Sequence, residues 1–321
     1  MDIFYLTLKQ MLMMFTLILV GFILRKKSVL PENSGTVMAK METNIFVPAL
    51  SLYTMFTKCN IETLKSNSVL VLYGLVIILC AVLLSFPLSA LFVRDVSSPE
   101  EAYKRCVYRY SMTFSNYGFM GNFIILGIWG EGMYYKYSMF NFMLGILCSS
   151  WGLYMLIPKE HNKGLWDNLK KGLLAPPIIA LISGMIIGAS GLANYVPDFI
   201  ITALKNASSC QGPVAMILAG FVIGGYDIKG MLFNKKVYVA SFMRLVVIPA
   251  AILLVLRTVG VSEEIMTLAL VAYATPLGLN TIVYPAAYGG ETETGASMAM
   301  ISHTLSVVTI PLMYLIFIVL L

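Results

Sequence analysis

Apolar runs of about 20 residues follow one another along the whole chain, each long enough to cross a hydrocarbon core of about 30 Å as a helix. The charged residues collect in the short stretches between the runs. Ten spans are expected, at Phe4–Leu24, Thr36–Phe56, Val69–Val93, Cys106–Ile128, Met133–Ile157, Leu173–Ser190, Ile200–Gly224, Val237–Thr258, Ile265–Tyr288 and Thr294–Leu321. The fourth is diluted in its first half by Arg109, Ser111, Ser115 and Asn116. No soluble domain fits between the runs. The pattern predicts an all-α integral membrane protein.

Two of these runs cannot be regular helices. Ala274–Gly290 reads ATPLGLNTIVYPAAYGG, with Gly278, Asn280 and Thr281 between two prolines. Pro276 and Pro285 each lack a backbone N–H and would crowd the carbonyl four residues back. In hydrocarbon a freed backbone group must be satisfied by protein, water or ligand, so a broken polar stretch at membrane depth is expected to line a cavity. Ser115–Asn122, SNYGFMGN, is the counterpart in the fourth span. Close helix packing accounts for Gly118 and Gly121. It does not account for two asparagines and a serine beside them.

Lysine and arginine set the orientation. Fifteen lie after odd-numbered spans and six on the opposite side, with Arg244 left inside the eighth span. By the positive-inside rule the odd-numbered loops are cytoplasmic, and both termini face the non-cytoplasmic side of the cell (inner) membrane. The first run is followed by Arg25-Lys26-Lys27 and lacks a small-residue cleavage site, so it reads as a retained span. The net charge of +6 then follows from loop topology and calls for no nucleic acid.

The longest charged connection divides the chain into a first five-helix unit (1–158), a cytoplasmic connection (159–171) and a second five-helix unit (172–321). An odd number of spans per unit makes two repeats inverted relative to each other. Pro31, Pro48 and Asn116 are spaced by 17 and 68 residues, and Pro197, Pro213 and Asn280 by 16 and 67. This matches Asn116 to Asn280. Interrupted segments at corresponding places in two halves point to a transporter binding site.

Composition removes other classes. Hydrophobic residues make up 59% of the chain and charged residues 12%, about half the charge of an average soluble domain. The five cysteines are scattered, with no metal spacing, and read as packing residues. HExxH, GxSxG and phosphate-loop motifs are absent, so no enzyme is expected. An intramembrane enzyme or a channel is the remaining rival class.

With Asn44-Ile45-Phe46-Val47-Pro48-Ala49-Leu50-Ser51 in the second span, SNYGFMGN in the fourth and Pro276-Leu277-Gly278-Leu279-Asn280 in the ninth, the chain resembles the auxin efflux carrier family from its first helix to Pro311. It is compact like the bacterial members, and Thr281 stands where the plant pattern has a second proline. The resemblance implies an elevator-type carrier with the fold of bile-acid sodium symporters and some sodium/proton antiporters. Helices one, two, six and seven would form a scaffold, and helices three to five and eight to ten a transport domain. The broken fourth and ninth helices would cross near the midplane, and the scaffold would mediate a homodimer. Some relatives are associated with malate or other organic acids.

Two half-helix N-termini at such a crossing carry unpaired N–H groups and partial positive charge. With the Asn116 and Asn280 amides they predict a site for a small organic anion that needs no arginine and no cofactor. The same breaks expose carbonyls, so sodium or a proton remains open as coupling ion. Gly118, Thr281, Ser51, Asn44 and Asn141 are candidate substrate contacts, Asn141 being equally a helix–helix hydrogen bond. Pro48, Gly121, Pro276, Gly278 and Pro285 are candidate helix breaks. Arg244 and Glu42 are candidate partners; alternatively Arg244 attracts anions or snorkels to the lipid surface. His303 reads as a packing residue or a proton relay. Trp129, Tyr134, Tyr135 and Tyr137 are expected in an aromatic belt. Gly184, Gly188 and Gly191 are expected on a close-packing helix face.

Overall fold

The computed structural model describes residues 2–161, 164–288 and 290–321. Met1, Asn162, Lys163 and Gly289 lie outside them, and with them small parts of the first expected unit, the central connection and the second broken stretch.

Among the described residues every regular element is helical. Helix α1 spans Asp2–Lys26. Helix α2 runs through Ser34–Met41, a π turn at Glu42–Phe46 and Val47–Lys58. Helix α3 is Ile61–Phe92 and α4 is Pro99–Thr113. Helix α5 starts with a π turn at Tyr117–Gly121 and continues through Asn122–Phe140, bent at Gly130 with φ 74°. Helix α6 follows from Phe142 to Leu156, α7 is Leu165–Leu173, α8 is Pro176–Ala189 and α9 is Asp198–Gly224. Helix α10 covers Lys235–Val259, α11 Glu263–Ala274, α12 Asn280–Ala287 and α13 Glu293–Leu320.

By length and composition five of these helices can each cross a membrane, and up to seven spans result when two bent pairs count as one each. The other expected spans fall on helices carrying a π turn or a break. Two of the π turns have a local cause. Glu42–Phe46 lies just before Pro48, and Met243–Val247 just before Pro249. Proline leaves the carbonyl four residues back without a donor, and a widened turn relieves the clash. Pro48 therefore bends the hydrogen-bond register of α2 without ending the helix. The helix that carries the start of the fourth expected span begins earlier than Cys106, at Pro99, where Ser98 caps α4 by accepting from the Glu101 N–H. The third starts at Ile61, behind a capping box between Asn60 and Thr63.

Glycines set the closest helix contacts. A Cβ on Gly21 of α1 would strike the Ile217 backbone, and one on Gly220 of α9 would strike the Ile18 backbone. Backbones this close maximise dispersion contact where lipid removes the hydrophobic drive between helices. Gly184 and Gly188 of α8 pack against Met55 and Cys59 in the same way. Gly191 does not: it has a φ of 76° with open space beside it, and turns the chain after α8.

Candidate functional site

The main chain is broken at 114–116, between α4 and α5, and at 275–279, between α11 and α12. These two breaks meet. The Asn116 N–H donates to the Pro276 carbonyl at 2.8 Å. The Ser115 hydroxyl donates to the Ala272 carbonyl in the last turn of α11. The Leu277 N–H donates to the Ser302 hydroxyl of α13 at 3.1 Å. The first break thus supplies donors to carbonyls freed at the second, and α13 accepts from the second, so that non-helical backbone groups find partners.

Arg244 completes the arrangement. Its side chain is fully buried, its Nη1 lies 3.4 Å from the Met112 carbonyl in the last turn of α4, and its guanidinium sits 6.0 Å from the centre of the Tyr273 ring. A cation at a helix C-terminus is favoured by the exposed carbonyls there. The expected pairing with Glu42 is not found: Glu42 is buried beside Gln211 of α9, and no ion pair among the described residues includes either residue. Glu42 meets Gln211 of α9, whereas Arg244 meets Met112 of α4 and Tyr273 of α11. Snorkelling of Arg244 is equally ruled out by its burial.

At the crossing lies a cavity of about 170 Å³. Asn116, Gly118, Gly278, Asn280, Ser51 and Asn141 all line it. No Asp, Glu, Lys, Arg or His is in the lining. The first turns of α5 and α12 face this region, and neither has a side-chain cap. A helix start leaves its first N–H groups without intrahelical acceptors. The Asn280 Nδ2 donates to the Tyr110 hydroxyl at 2.9 Å and approaches Cys148 Sγ at 3.7 Å. The Asn141 Nδ2 donates to the Tyr137 carbonyl, and its Oδ1 is buried without a hydrogen-bond partner. The Asn116 Nδ2 lies 3.2 Å from His303 Nε2.

The other candidates fall elsewhere. Thr281 is buried, donates to the Gly278 carbonyl and packs its backbone on Gly295 of α13, so it holds helices together and lies off the cavity. Asn44 is exposed and donates to the Lys40 carbonyl; it lines a second, wider space. Pro285 does not break α12, which runs on to Ala287. Gly121 is not a break either. A Cβ there would strike the Tyr137 hydroxyl, which donates to the Tyr117 carbonyl at 3.2 Å.

Sequence reading missed several lining residues. Tyr134 and Tyr137 face the cavity, and Tyr134, Tyr135 and Tyr137 are all buried, which corrects their placement in an aromatic belt. Tyr117, Asn122, Ser138, Cys148 and Tyr284 also line it. For Tyr134, Tyr137 and Ser138 a usable signal was their spacing of three and four residues toward Asn141, which places all four on one helix face.

The wider space, about 690 Å³, lies between α2, α9 and α12 and has Arg25, Glu32 and Lys40 in its lining. Thr43, Phe119, Leu279, Asn280 and Tyr284 line both spaces, so the two adjoin. No group of three or more His, Cys, Asp or Glu that could hold a metal ion occurs among the described residues.

A family model described as membrane transport protein matches residues 6–168 and 165–314. The uncharacterized transporter YfdV of Escherichia coli (strain K12) is 23% identical over 314 residues, covering 94% of this chain and 95% of the relative. The uncharacterized transporter MJ1031 of Methanocaldococcus jannaschii is 24% identical over 307 residues, covering 94% and 96%. Matched end to end by the family model, with apolar helices long enough to cross a bilayer, the chain belongs to the membrane transport protein family, the auxin efflux carriers, and is a multi-pass membrane transporter.

Proposed function

We propose that this transporter is a secondary carrier for a small organic anion and binds the carboxylate at the crossing of the two broken helices. The observation that carries the reading is a cavity without charged side chains onto which two uncapped helix starts open. Partial positive charge and free N–H groups there favour an anion. A site with no arginine suits a carrier, because the ligand must leave as readily as it enters. Lys40 at the wider space, where Arg25 is paired with Glu32, would raise the local anion concentration.

The carrier is read as elevator-type, with ten spans in two inverted repeats. Support comes from the close packing of α1 on α9 and of α2 on α8 and α9, which groups spans one, two, six and seven. These would be the scaffold, and the dimer contact, while α3–α6 and α10–α13 carry the crossing. The basic side is read as cytoplasmic, in the cell membrane, with both termini opposite. A second reading, a sodium-coupled symporter, draws support from the unpartnered Asn141 Oδ1, a hard oxygen suited to a cation.

The test is ligand-induced stabilisation of purified protein by a panel of C2–C5 mono- and dicarboxylates, with and without sodium. Stabilisation by a carboxylate that is lost in both Asn116→Ala and Asn280→Ala is expected. Stabilisation that survives in both folded variants overturns the site. Stabilisation that requires sodium selects the second reading.

A further inference from the structure

His303 stands behind the cavity and is tied to it through one residue. Its Nδ1 lies 2.7 Å from the Ala299 carbonyl on its own helix. A carbonyl only accepts, so Nδ1 carries hydrogen. In the neutral ring Nε2 is then an acceptor, and its partner Asn116 must offer Nδ2–H, as the 3.2 Å contact has it. The amide's Oδ1 and its one other Nδ2 hydrogen are what remain for the cavity that Asn116 lines. A carbonyl oxygen repels a carboxylate.

Protonation reverses this. With Nδ1 still donating to Ala299, the added proton makes Nε2 a donor. The Asn116 amide must turn about its last torsion to accept through Oδ1, which withdraws the oxygen and leaves both Nδ2 hydrogens free to donate to a carboxylate. Asn280 is under no such constraint, because its partner is the Tyr110 hydroxyl, which can donate or accept. We infer that His303 is a proton site coupled to the ligand site, so that the carrier takes up one proton with each carboxylate. This rests on the organic-anion reading above.

The surroundings leave the imidazole as the group that titrates. His303 shares an apolar pocket with Phe22 of α1, Ile223 of α9 and Tyr238 of α10, and Tyr238 is the one other titratable side chain in that lining. On the α5 side it meets the Asn116 amide. The buried guanidinium of Arg244, on α10, is turned to Met112 and Tyr273.

The experiment combines two readouts. First, carboxylate affinity is measured from pH 5 to 8 on wild type and His303→Gln. Above the pH at which the imidazole loses its proton, the wild-type affinity is expected to fall about tenfold per pH unit, while His303→Gln stays flat. Second, ¹⁵N NMR follows the remaining histidine of His161→Gln, since the chain has only two. Linkage is reciprocal, so the carboxylate must raise the protonated fraction of that ring. The NMR arm holds even if His303→Gln fails to fold. Binding that is independent of pH in wild type, or a ring whose protonation ignores a bound carboxylate, overturns the proton site and leaves the anion reading standing. Absence of carboxylate binding at every pH overturns the anion reading instead.

Discussion

The N–H of Asn116 meets the carbonyl of Pro276 at 2.8 Å, so the two breaks are joined main chain to main chain. Side-chain truncation at 116 leaves that link in place. Asn116→Ala is expected to cost about 1–3 kcal/mol, through the His303 acceptor it strands. Asn116→Pro removes the N–H itself and is expected to fail to fold. Thermal unfolding in detergent compares them; equal midpoints would show that the main-chain link contributes nothing.

Nothing lies within 4 Å of where a Cβ would sit on Gly118, although this residue lines the cavity. Gly118→Leu should therefore fill the cavity without pushing any backbone. The unliganded midpoint is expected to stay within about 1 kcal/mol of wild type, the usual size of an unstrained change away from packed contacts. Stabilisation by carboxylates should vanish. Retained ligand stabilisation would place the ligand away from the crossing.

Arg244 is held by Met112 and Tyr273, and Glu42 by other surroundings. Arg244→Met should cost stability by about 1–3 kcal/mol through the lost charged hydrogen bond. The swap Glu42→Arg with Arg244→Glu should be no better than either single change. Recovery of stability or transport in the swap would mean the two charges do act as a pair.

Gly220→Val places a branched side chain against the backbone of α1 at Ile18. Overpacking of this kind costs about 1–3 kcal/mol or more, and here no flexible side chain can give way. A lowered unfolding midpoint and poor recovery of folded protein are expected. A variant of unchanged stability would show that α1 and α9 part easily.

Much of this site was legible in the sequence because the bilayer leaves few ways to place polar backbone. Asn116 and Asn280 stand out because amides cluster there with glycines or prolines inside an apolar run, and both line the cavity. What was not legible depended on which way a side chain faces. Tyr134 and Tyr137 look like interface aromatics by type and end up in the lining. Thr281 sits one residue from Asn280, yet the helical turn carries it to Gly295. Pro285 has the composition of a break, but near the end of the short α12 it interrupts little. His303 showed only as one polar residue in an apolar helix, since its partner is 187 residues away.

Cys148 lies in the cavity lining with its sulfur 3.3 Å from the Tyr110 hydroxyl and 3.7 Å from Asn280 Nδ2. The molecule thus has a native thiol inside the cavity proposed for its ligand. With the four remaining cysteines replaced, the rate at which a small methanethiosulfonate reagent consumes this thiol becomes a reporter of occupancy: any solute resting at the crossing shields the sulfur, and its departure uncovers it.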